Sequence, residues 1–258
     1  MTSTAKPTAV IFDVDGVLVD SYHAHHESWR LLCQERGWEM TAEQFHDTFG
    51  RTSREIVREL WSQHLTSADE VAAVDDRKEE LYRGILASAF PAMDGAAALI
   101  SQLRAAGFLL AVGSSGPPAN VALTLDGLGC RAAFQAVVTG ADVTRGKPDP
   151  QVFQLAAQRL GVPPPQCIVI EDAPVGVAAA HAAGMSCVAL VSTGRFRHLL
   201  LAADLVVDSL RDLSAAALRQ VLARYQVLRR TPGNGLPVGR PFRADRDGPE
   251  GPSYVTNG

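Results

Sequence analysis

Six short runs of apolar residues, separated by longer segments with helical patterning, constrain the fold of this chain more than any other feature. The runs are continuous rather than alternating, which is typical of parallel β-strands that are covered by helices on both faces. We predict strands at Ala9–Phe12, Leu109–Gly113, 136–139, 167–170, 187–191 and Leu205–Val207. Strands that alternate with helices in this way predict an α/β fold built on a doubly wound parallel sheet.

Between about residues 21 and 89 the alternation stops, and no convincing strand is found. Helical patterns cover Tyr22–Arg36, 41–48, 53–63 and 67–86. We expect Ser53 and Ser67 to cap the last two helices, with Glu70 placed for a capping box.

The chain therefore divides into a core and an insertion. We predict an α/β core formed by residues 1–20 and 90–228, and a helical cap formed by residues 21–89. Residues 229–258 are rich in glycine, proline and charge, and we predict a disordered tail there. An insertion after the first strand can cover the carboxyl edge of the sheet, where α/β proteins bind ligands.

Polar residues follow the ends of four predicted strands. In chain order they are Asp13 and Asp15, then Ser114 and Ser115, then Lys147, then Glu171 and Asp172. Because the carboxyl ends of parallel strands lie at one edge of a sheet, we expect these four loops to converge. Carboxylates at the edge of a core repel each other and favour a bound cation.

The chemistry of these groups is complementary to a phosphate and a metal ion. Carboxylates form a hard oxygen site suited to Mg²⁺. The Ser114 hydroxyl, the backbone N–H groups of its glycine-flanked turn and the Lys147 ammonium can bind an anion. Taken singly, the turn could be an ordinary one, Lys147 could be a solvated loop lysine, and Glu171 with Asp172 could cap the next helix.

The motifs that carry these residues resemble those of the haloacid dehalogenase (HAD) superfamily. They are Asp-x-Asp-Gly-Val-Leu-Val-Asp-Ser from residue 13, Gly-Ser-Ser at 113–115, Gly-Lys-Pro-Asp-Pro at 146–150 and Glu-Asp-Ala from residue 171. The resemblance covers about residues 8–213 and looks most like the branch that contains β-phosphoglucomutase and small sugar-phosphate phosphatases. It implies a HAD-like Rossmannoid core with an inserted α-helical cap domain.

The resemblance also implies catalytic roles. Asp13 matches the nucleophile that forms an aspartyl-phosphate, and Asp15 matches the general acid and base. Ser114 and Lys147 match the groups that hold the phosphoryl oxygens. Since Asp15 must carry a proton when the leaving group departs, we expect its pKa to be raised by Asp13 and by partial burial.

For the metal, the resemblance implies one Mg²⁺ ion. Its expected ligands are Asp172, the Asp13 carboxylate and the backbone carbonyl of Asp15, and Glu171 is expected to bind it directly or through water. In a loose transition state for phosphoryl transfer, such an ion stabilises the charge on the equatorial oxygens.

The cap supplies candidate substrate-binding residues. His25 matches a histidine that assists proton handling in relatives of β-phosphoglucomutase, Arg54 matches an arginine for a distal phosphate, and Lys78 matches a lysine that contacts the sugar. Ser115 in the core completes this set. Arg54 and Lys78 could instead lie on a solvated helix face.

Three functions compete for this constellation. The turn at Gly116, Pro117 and Pro118 lacks the polar residues of the mutases, so we expect net hydrolysis of a small phosphomonoester, a sugar phosphate. A phosphosugar mutase of the β-phosphoglucomutase type is the alternative. A phospho-accepting receiver switch also uses aspartates, a hydroxyl and a lysine, but receivers lack an inserted cap and place the phospho-acceptor later in the sheet.

Composition restricts the partners. The net charge of −4 gives no reason to expect a nucleic acid, and no stretch reaches the ~20 apolar residues that span a membrane. The cysteines are scattered without metal-ligand spacing, which indicates a reducing, cytoplasmic location. We expect a small phosphorylated metabolite as the partner, and the oligomeric state stays open, a monomer being compatible with the sequence.

Overall fold

A computed structural model describes residues 7–230 and contains six parallel strands in one sheet. They are β1 (Ala9–Phe12), β2 (Leu109–Gly113), β3 (Ala136–Val138), β4 (Cys167–Glu171), β5 (Ser186–Leu190) and β6 (Leu205–Val207). The order across the sheet is β3-β2-β1-β4-β5-β6, so the chain winds outward from β1 on one side and then from β4 on the other. This confirms the predicted doubly wound sheet, with the bounds of β3, β4 and β5 differing from the predicted ones by one residue.

The strand register brings the candidate residues level with one another. Phe12 at the end of β1 pairs with Val112 of β2 and with Ile170 of β4. Asp13, the next residue, donates its backbone N–H to the Ile170 carbonyl at 2.9 Å. The residues that follow these three strands therefore meet at the carboxyl edge of the sheet.

Helices cover both faces of the sheet. They are α5 (Ala96–Ala105), α6 (Pro118–Gly127), α7 (Gln151–Leu160), α8 (Pro174–Ala182) and α9 (Ala215–Arg230). Val10 and Phe12 point into the core cluster shared with α5, α6 and α9, whereas Ala9 and Ile11 point into the cluster shared with α7 and α8. The strands are apolar on both faces because both faces are buried.

The sequence predicts helices at 95–106, 150–160 and 174–183, close to α5, α7 and α8, but it did not lead to an assignment of α6 or α9. Helix α6 begins at Pro118, directly after Pro117, and the paired prolines indicated a turn although proline is well tolerated in the first turn of a helix. Helix α9 runs to Arg230, so residues 229 and 230 are helical rather than part of the predicted tail. The rest of the predicted tail lies outside the described residues.

Four α-helices, which form the cap, lie between β1 and α5. They are α1 (Tyr22–Arg36), α2 (Ala42–Thr48), α3 (Ser53–Trp61) and α4 (Ala68–Ser88). They enclose an apolar cluster of their own that includes Trp29, Leu32, Phe45 and Trp61. In the part of the chain that the structure describes, none of the helices has both the length and the apolar composition that a bilayer span requires.

The caps of these helices differ in part from the predicted ones. Thr52, not Ser53, caps α3, and its hydroxyl accepts the Glu55 N–H. The Ser53 hydroxyl points inward and donates to Glu79 of α4. Ser67 caps α4 as predicted, but the Glu70 carboxylate accepts from Thr66, so the expected capping box with Ser67 is absent.

Candidate active site

Three buried carboxylates meet at the carboxyl edge of the sheet. The side chains of Asp13, Glu171 and Asp172 each offer an oxygen within 4.8 Å of the others. Burial raises the pKa of Asp13 well above its ordinary value, and the Lys147 charge opposes this only in part, because Glu171 and Asp172 add to the rise. Burial likewise raises the pKa of Asp172. A donor set of three crowded carboxylate oxygens fits a hard divalent cation such as Mg²⁺.

Lys147 lies between two of these carboxylates. Its Nζ atom donates to Asp13 Oδ1 at 2.7 Å and to Glu171 Oε1 at 2.5 Å. Burial lowers the pKa of Lys147, but the two carboxylates raise it more, so the net pKa lies above the ordinary value. Lys147 is therefore a buried ammonium at the cluster, and not a solvated loop lysine.

The backbone between β4 and α8 fixes Glu171. Its Oε2 atom accepts the backbone N–H groups of Asp172 and Ala173, both at 2.7 Å. A Cβ atom on Gly176, in the first turn of α8, would overlap the Glu171 carboxylate. No side chain caps α8, so the alternative that Glu171 or Asp172 caps this helix is wrong, and Glu171 is held by the backbone N–H groups just before the helix.

Ser114 follows β2 and is buried at the same edge. Its backbone N–H donates to the Val138 carbonyl at 3.0 Å, and its hydroxyl oxygen accepts the Gly116 N–H at 3.0 Å. These two amides are therefore occupied within the chain, so the turn offers fewer N–H groups to an anion than the sequence suggested. The Ser114 O–H remains able to donate to a phosphoryl oxygen, and Ser115 lines the same cleft.

Asp15 is half-buried and turned toward the cap. Its Oδ1 atom lies 3.2 Å from His25 Nε2 and accepts from the Tyr82 hydroxyl at 2.7 Å. Burial alone would raise the pKa of Asp15. The hydrogen bonds lower this pKa by more than burial raises it, so the net pKa is below its ordinary value. The expected rise in this pKa was wrong for this arrangement, because donors from the cap stabilise the carboxylate.

Lys78 is buried in the cap. Its Nζ atom lies 2.8 Å from His25 Nδ1 and 2.9 Å from Glu79 Oε1, and its side chain is 1% exposed. It is not on a solvated helix face. The hydrogen bonds that it donates to His25 and Glu79 place it behind His25 rather than in open contact with a sugar.

Glu79 connects the cap to the core. Its Oε2 atom accepts from Asn120 Nδ2 of α6 at 2.6 Å, and Asn120 Oδ1 accepts from Arg83 Nη1 at 3.0 Å. A continuous set of polar contacts therefore runs from α6 through Glu79, Lys78 and His25 to Asp15.

Arg54 lies apart from this set. Its Nε atom donates to Asp75 Oδ2 at 2.6 Å, and its side chain is 55% exposed. Arg54 and Asp75 both line the cleft, but Arg54 is not among the side chains that contact the acid cluster.

One cleft of about 570 Å³ lies between the cap and the core, and it contains every predicted site residue. Its lining joins Asp13, Lys147 and Asp172 of the core to His25 and Arg54 of the cap. This size suits a small metabolite.

Sequence reasoning missed Tyr82, Glu79, Asn120 and Arg195, which contact the predicted residues. Tyr82 is four residues after Lys78, so helical spacing puts both on one face of α4. That spacing was the available signal, whereas the sequence around Arg195 gives none.

Comparisons with known proteins agree with this geometry. Residues 7–184 match the family model described as haloacid dehalogenase-like hydrolase. The chain is 34% identical over 211 residues to validoxylamine A 7'-phosphate phosphatase of Streptomyces hygroscopicus subsp. limoneus, covering 79% of this chain and 94% of that one. It is 32% identical over 234 residues to β-phosphoglucomutase of Bacillus subtilis, covering 85% and 97%.

A solved structure shares the fold. The crystal structure of β-phosphoglucomutase from Clostridium difficile superposes with a TM-score of 0.77 at 25% identity, covering 86% of this chain and 99% of that one.

Proposed function

The chain belongs to the haloacid dehalogenase-like hydrolase family, and we propose that, among the phosphoric monoester hydrolases of this family, it is a Mg²⁺-dependent sugar-phosphate phosphatase. The observation that carries the proposal is the convergence of Asp13, Glu171 and Asp172 with Lys147 and Ser114 in one cleft beneath a helical cap. The receiver alternative fits neither the family nor the cap.

Asp13 is the proposed nucleophile. Its carboxylate attacks phosphorus and forms an aspartyl-phosphate, while the leaving oxygen departs on the opposite side of the phosphorus. Lys147 holds Asp13 Oδ1 at 2.7 Å, which orients the carboxylate and reduces its repulsion from the phosphate. The Ser114 hydroxyl donates to a phosphoryl oxygen.

The proposed ligands of Mg²⁺ are Asp13, Asp172 and the backbone carbonyl of Asp15, with Glu171 direct or through water. A bound Mg²⁺ ion supplies positive charge that offsets the anionic charge of the carboxylates and of the phosphoryl oxygens.

Asp15 is the proposed general acid and then the general base. It protonates the leaving oxygen, and in the second half it accepts a proton from the water that hydrolyses the aspartyl-phosphate. His25 and Tyr82, both bonded to Asp15 Oδ1, hold the carboxyl group in place. Neither bond involves Oδ2, so Oδ2 can carry the proton that is delivered to the substrate.

Hydrolysis is favoured over mutase chemistry by the state of Arg54. A mutase must bind a second phosphate group, and Arg54 is the cap residue that the resemblance assigns to it. In this structure the carboxylate of Asp75 is already paired with Arg54 at 2.6 Å. The cap wall also carries Asp76, so a substrate whose distal end bears hydroxyl groups fits it better than a bisphosphate.

The four cysteines at Cys33, Cys130, Cys167 and Cys187 are free thiols. Free thiols suit the reducing cytoplasm that the sequence suggested, and we keep this location as part of the proposal.

The test is phosphate release by the purified full chain with Mg²⁺ over a panel of sugar phosphates, phosphoglycolate and nucleoside monophosphates. A coupled assay for glucose 6-phosphate from β-glucose 1-phosphate runs in parallel. We expect free phosphate from at least one sugar phosphate, loss of release with EDTA, and recovery with added Mg²⁺. Isomerised sugar phosphate without free phosphate would overturn the phosphatase assignment in favour of the mutase.

A further inference from the structure

The loop of residues 192–195, which follows β5, contacts both the acid cluster and Asp20, which lies just before the first helix of the cap. Ser192 Oγ donates to Asp172 Oδ2 at 2.8 Å. Thr193 Oγ1 donates to Asp20 Oδ2 at 2.9 Å, just before α1 begins the cap. This loop lies outside all the motifs that identified the site from the sequence.

Arg195, the last residue of this loop, reaches from the core into the cap. Its Nε atom donates to Asp172 Oδ2 at 3.1 Å, and its Nη1 atom donates to the Phe49 carbonyl at 3.2 Å. The guanidinium carbon lies 4.4 Å from the centroid of the Phe49 ring. The side chain is only 11% exposed, so these contacts are made away from bulk water.

The cap backbone is shaped to admit this side chain. A Cβ atom on Gly50, where φ is +97°, would lie 2.6 Å from Arg195 Nη2. Glycine at that position permits both the left-handed conformation and the close approach. The contact between Arg195 and the cap loop is therefore a built feature of the fold.

We propose that Arg195 is a positioning residue that links the position of the cap loop at Phe49 and Gly50 to the orientation of the Asp172 carboxylate. The guanidinium group is planar and rigid, so its Nε and Nη1 donors move together. When the Phe49 carbonyl accepts the hydrogen bond from Nη1, Nε is in place to donate to Asp172 Oδ2. Ser192 and Arg195 then both occupy Oδ2, and Oδ1 of Asp172 is the oxygen that can serve a cation.

This inference rests on the proposed binding of Mg²⁺ by Asp172. Partners that orient a metal ligand typically change metal affinity or activity by about 10- to 100-fold when they are removed. We therefore expect the cap loop to influence Mg²⁺ binding although Phe49 is not a proposed ligand.

The experiment is calorimetric titration of the full chain, freed of metal, with MgCl₂ alone. Arg195→Lys keeps the positive charge but replaces the rigid, planar fork with a flexible ammonium, so contact with Phe49 no longer fixes the donor that faces Asp172. We expect this variant to bind Mg²⁺ about tenfold more weakly than the wild type. Arg197→Lys is the matched control, because Arg197 is half-exposed and pairs with the exposed Asp208, and we expect its affinity to be unchanged.

A double-mutant cycle isolates the coupling. Phe49→Leu removes the ring beneath Arg195 and leaves the backbone carbonyl, and we expect it to weaken Mg²⁺ binding several-fold. In the Arg195→Lys background the same substitution should have no further effect, because the connection is already broken.

The outcomes separate the inference from the proposed function. If the wild type binds Mg²⁺ and Arg195→Lys binds it equally well, the coupling is overturned and the phosphatase proposal stands. If the wild type binds no Mg²⁺, both are overturned. If Arg195→Lys does not fold, Phe49→Leu decides alone, and an unchanged affinity in that variant overturns the coupling.

Discussion

The Nζ atom of Lys78 lies 2.8 Å from the Nδ1 atom of His25. A lysine ammonium carries only donors, and Lys78 is also paired with the Glu79 carboxylate at 2.9 Å, so it donates to His25. A His25 ring that accepts at Nδ1 carries its proton at Nε2. That proton faces Asp15 Oδ1 at 3.2 Å between the nitrogen and the oxygen. Lys78 thus selects the imidazole tautomer that can donate to the proposed general acid.

Replacing Lys78 with methionine should therefore lower kcat with little change in KM. Without the donor from Lys78, both tautomers of His25 become available, and the bond that orients Asp15 is lost for part of the population. General acid–base catalysis is typically worth 10²- to 10⁴-fold, but Asp15 itself remains in this variant, so we expect a smaller fall in kcat of about two- to tenfold. Steady-state kinetics on the best sugar phosphate measure both constants.

The control for this prediction is the neighbouring Arg77→Met. Arg77 pairs with Glu35 and Glu80 on the exposed side of α4. We expect kcat to be unchanged in this variant. A kcat for Lys78→Met that equals the wild-type value would show that the tautomer of His25 has no part in turnover.

Replacing Asp13 with asparagine should abolish turnover while the chain stays folded. The amide has nearly the same shape as the carboxylate, but it is not a nucleophile toward phosphorus. We expect kcat to fall at least about 10³-fold, as for the loss of other enzymatic nucleophiles, with an unchanged circular dichroism spectrum. Asp94→Asn is the control, since Asp94 is exposed and pairs with Arg211, and it should keep full activity. Wild-type rates from Asp13→Asn would mean that the nucleophile is misassigned.

The sequence predicted the acid cluster because strand ends alone determine it. Asp13 and Glu171 lie at the carboxyl ends of adjacent parallel strands, and their register is set by the apolar runs before them. Lys147 could be added to the predicted site because it lies in a short motif, Gly-Lys-Pro-Asp-Pro at 146–150. Six strands were found for the same reason, since each is a continuous apolar run between helical segments.

Contacts between the cap and the core could not be predicted in this way. Tyr82 and Arg195 are separated by a long stretch of chain from the residues they contact, and neither belongs to a recognisable motif. The wrong expectation for the pKa of Asp15 has the same origin. Burial and like charge can be inferred from the local sequence, but hydrogen bonds from His25 and Tyr82 depend on how the cap sits on the core.

The contribution of Glu79 to stability should depend on pH in the acid range. Burial raises the pKa of Glu79, but the Lys78 charge and the hydrogen bond from Ser53 lower it more, giving a pKa of about 2 against an ordinary value of 4.5. A lowered pKa means that the carboxylate stabilises the fold above pH 4.5 and that this contribution is lost as the pH falls toward 2.

Urea unfolding of the wild type and of Glu79→Gln at several pH values between 7 and 3.5 measures this effect. We expect the wild type to be more stable by a constant amount at pH 6 and above, and the difference to shrink below pH 4.5. A difference that stays constant down to pH 3.5 would contradict the assignment of an ionised, buried Glu79.

Two glycines in helices should respond in opposite ways to the same substitution. Gly84 lies in α4, and apart from the local backbone of that helix no atom lies within 4 Å of the place that an added Cβ atom would take. Gly84→Ala should therefore raise the free energy of unfolding by about 0.5–1 kcal/mol through helix propensity. Gly176 lies in α8, where the same carbon would overlap the Glu171 carboxylate. Gly176→Ala should therefore destabilise the protein by about 1–3 kcal/mol, as overpacking does, and weaken Mg²⁺ binding because Glu171 is displaced from the cluster.

Thermal unfolding and MgCl₂ titration of the Gly84→Ala and Gly176→Ala variants measure the sign of each change in stability and the change in Mg²⁺ affinity. If Gly176→Ala were stabilised as Gly84→Ala is, with Mg²⁺ affinity intact, Glu171 would not need the space at Gly176, and its proposed place beside the metal would be wrong.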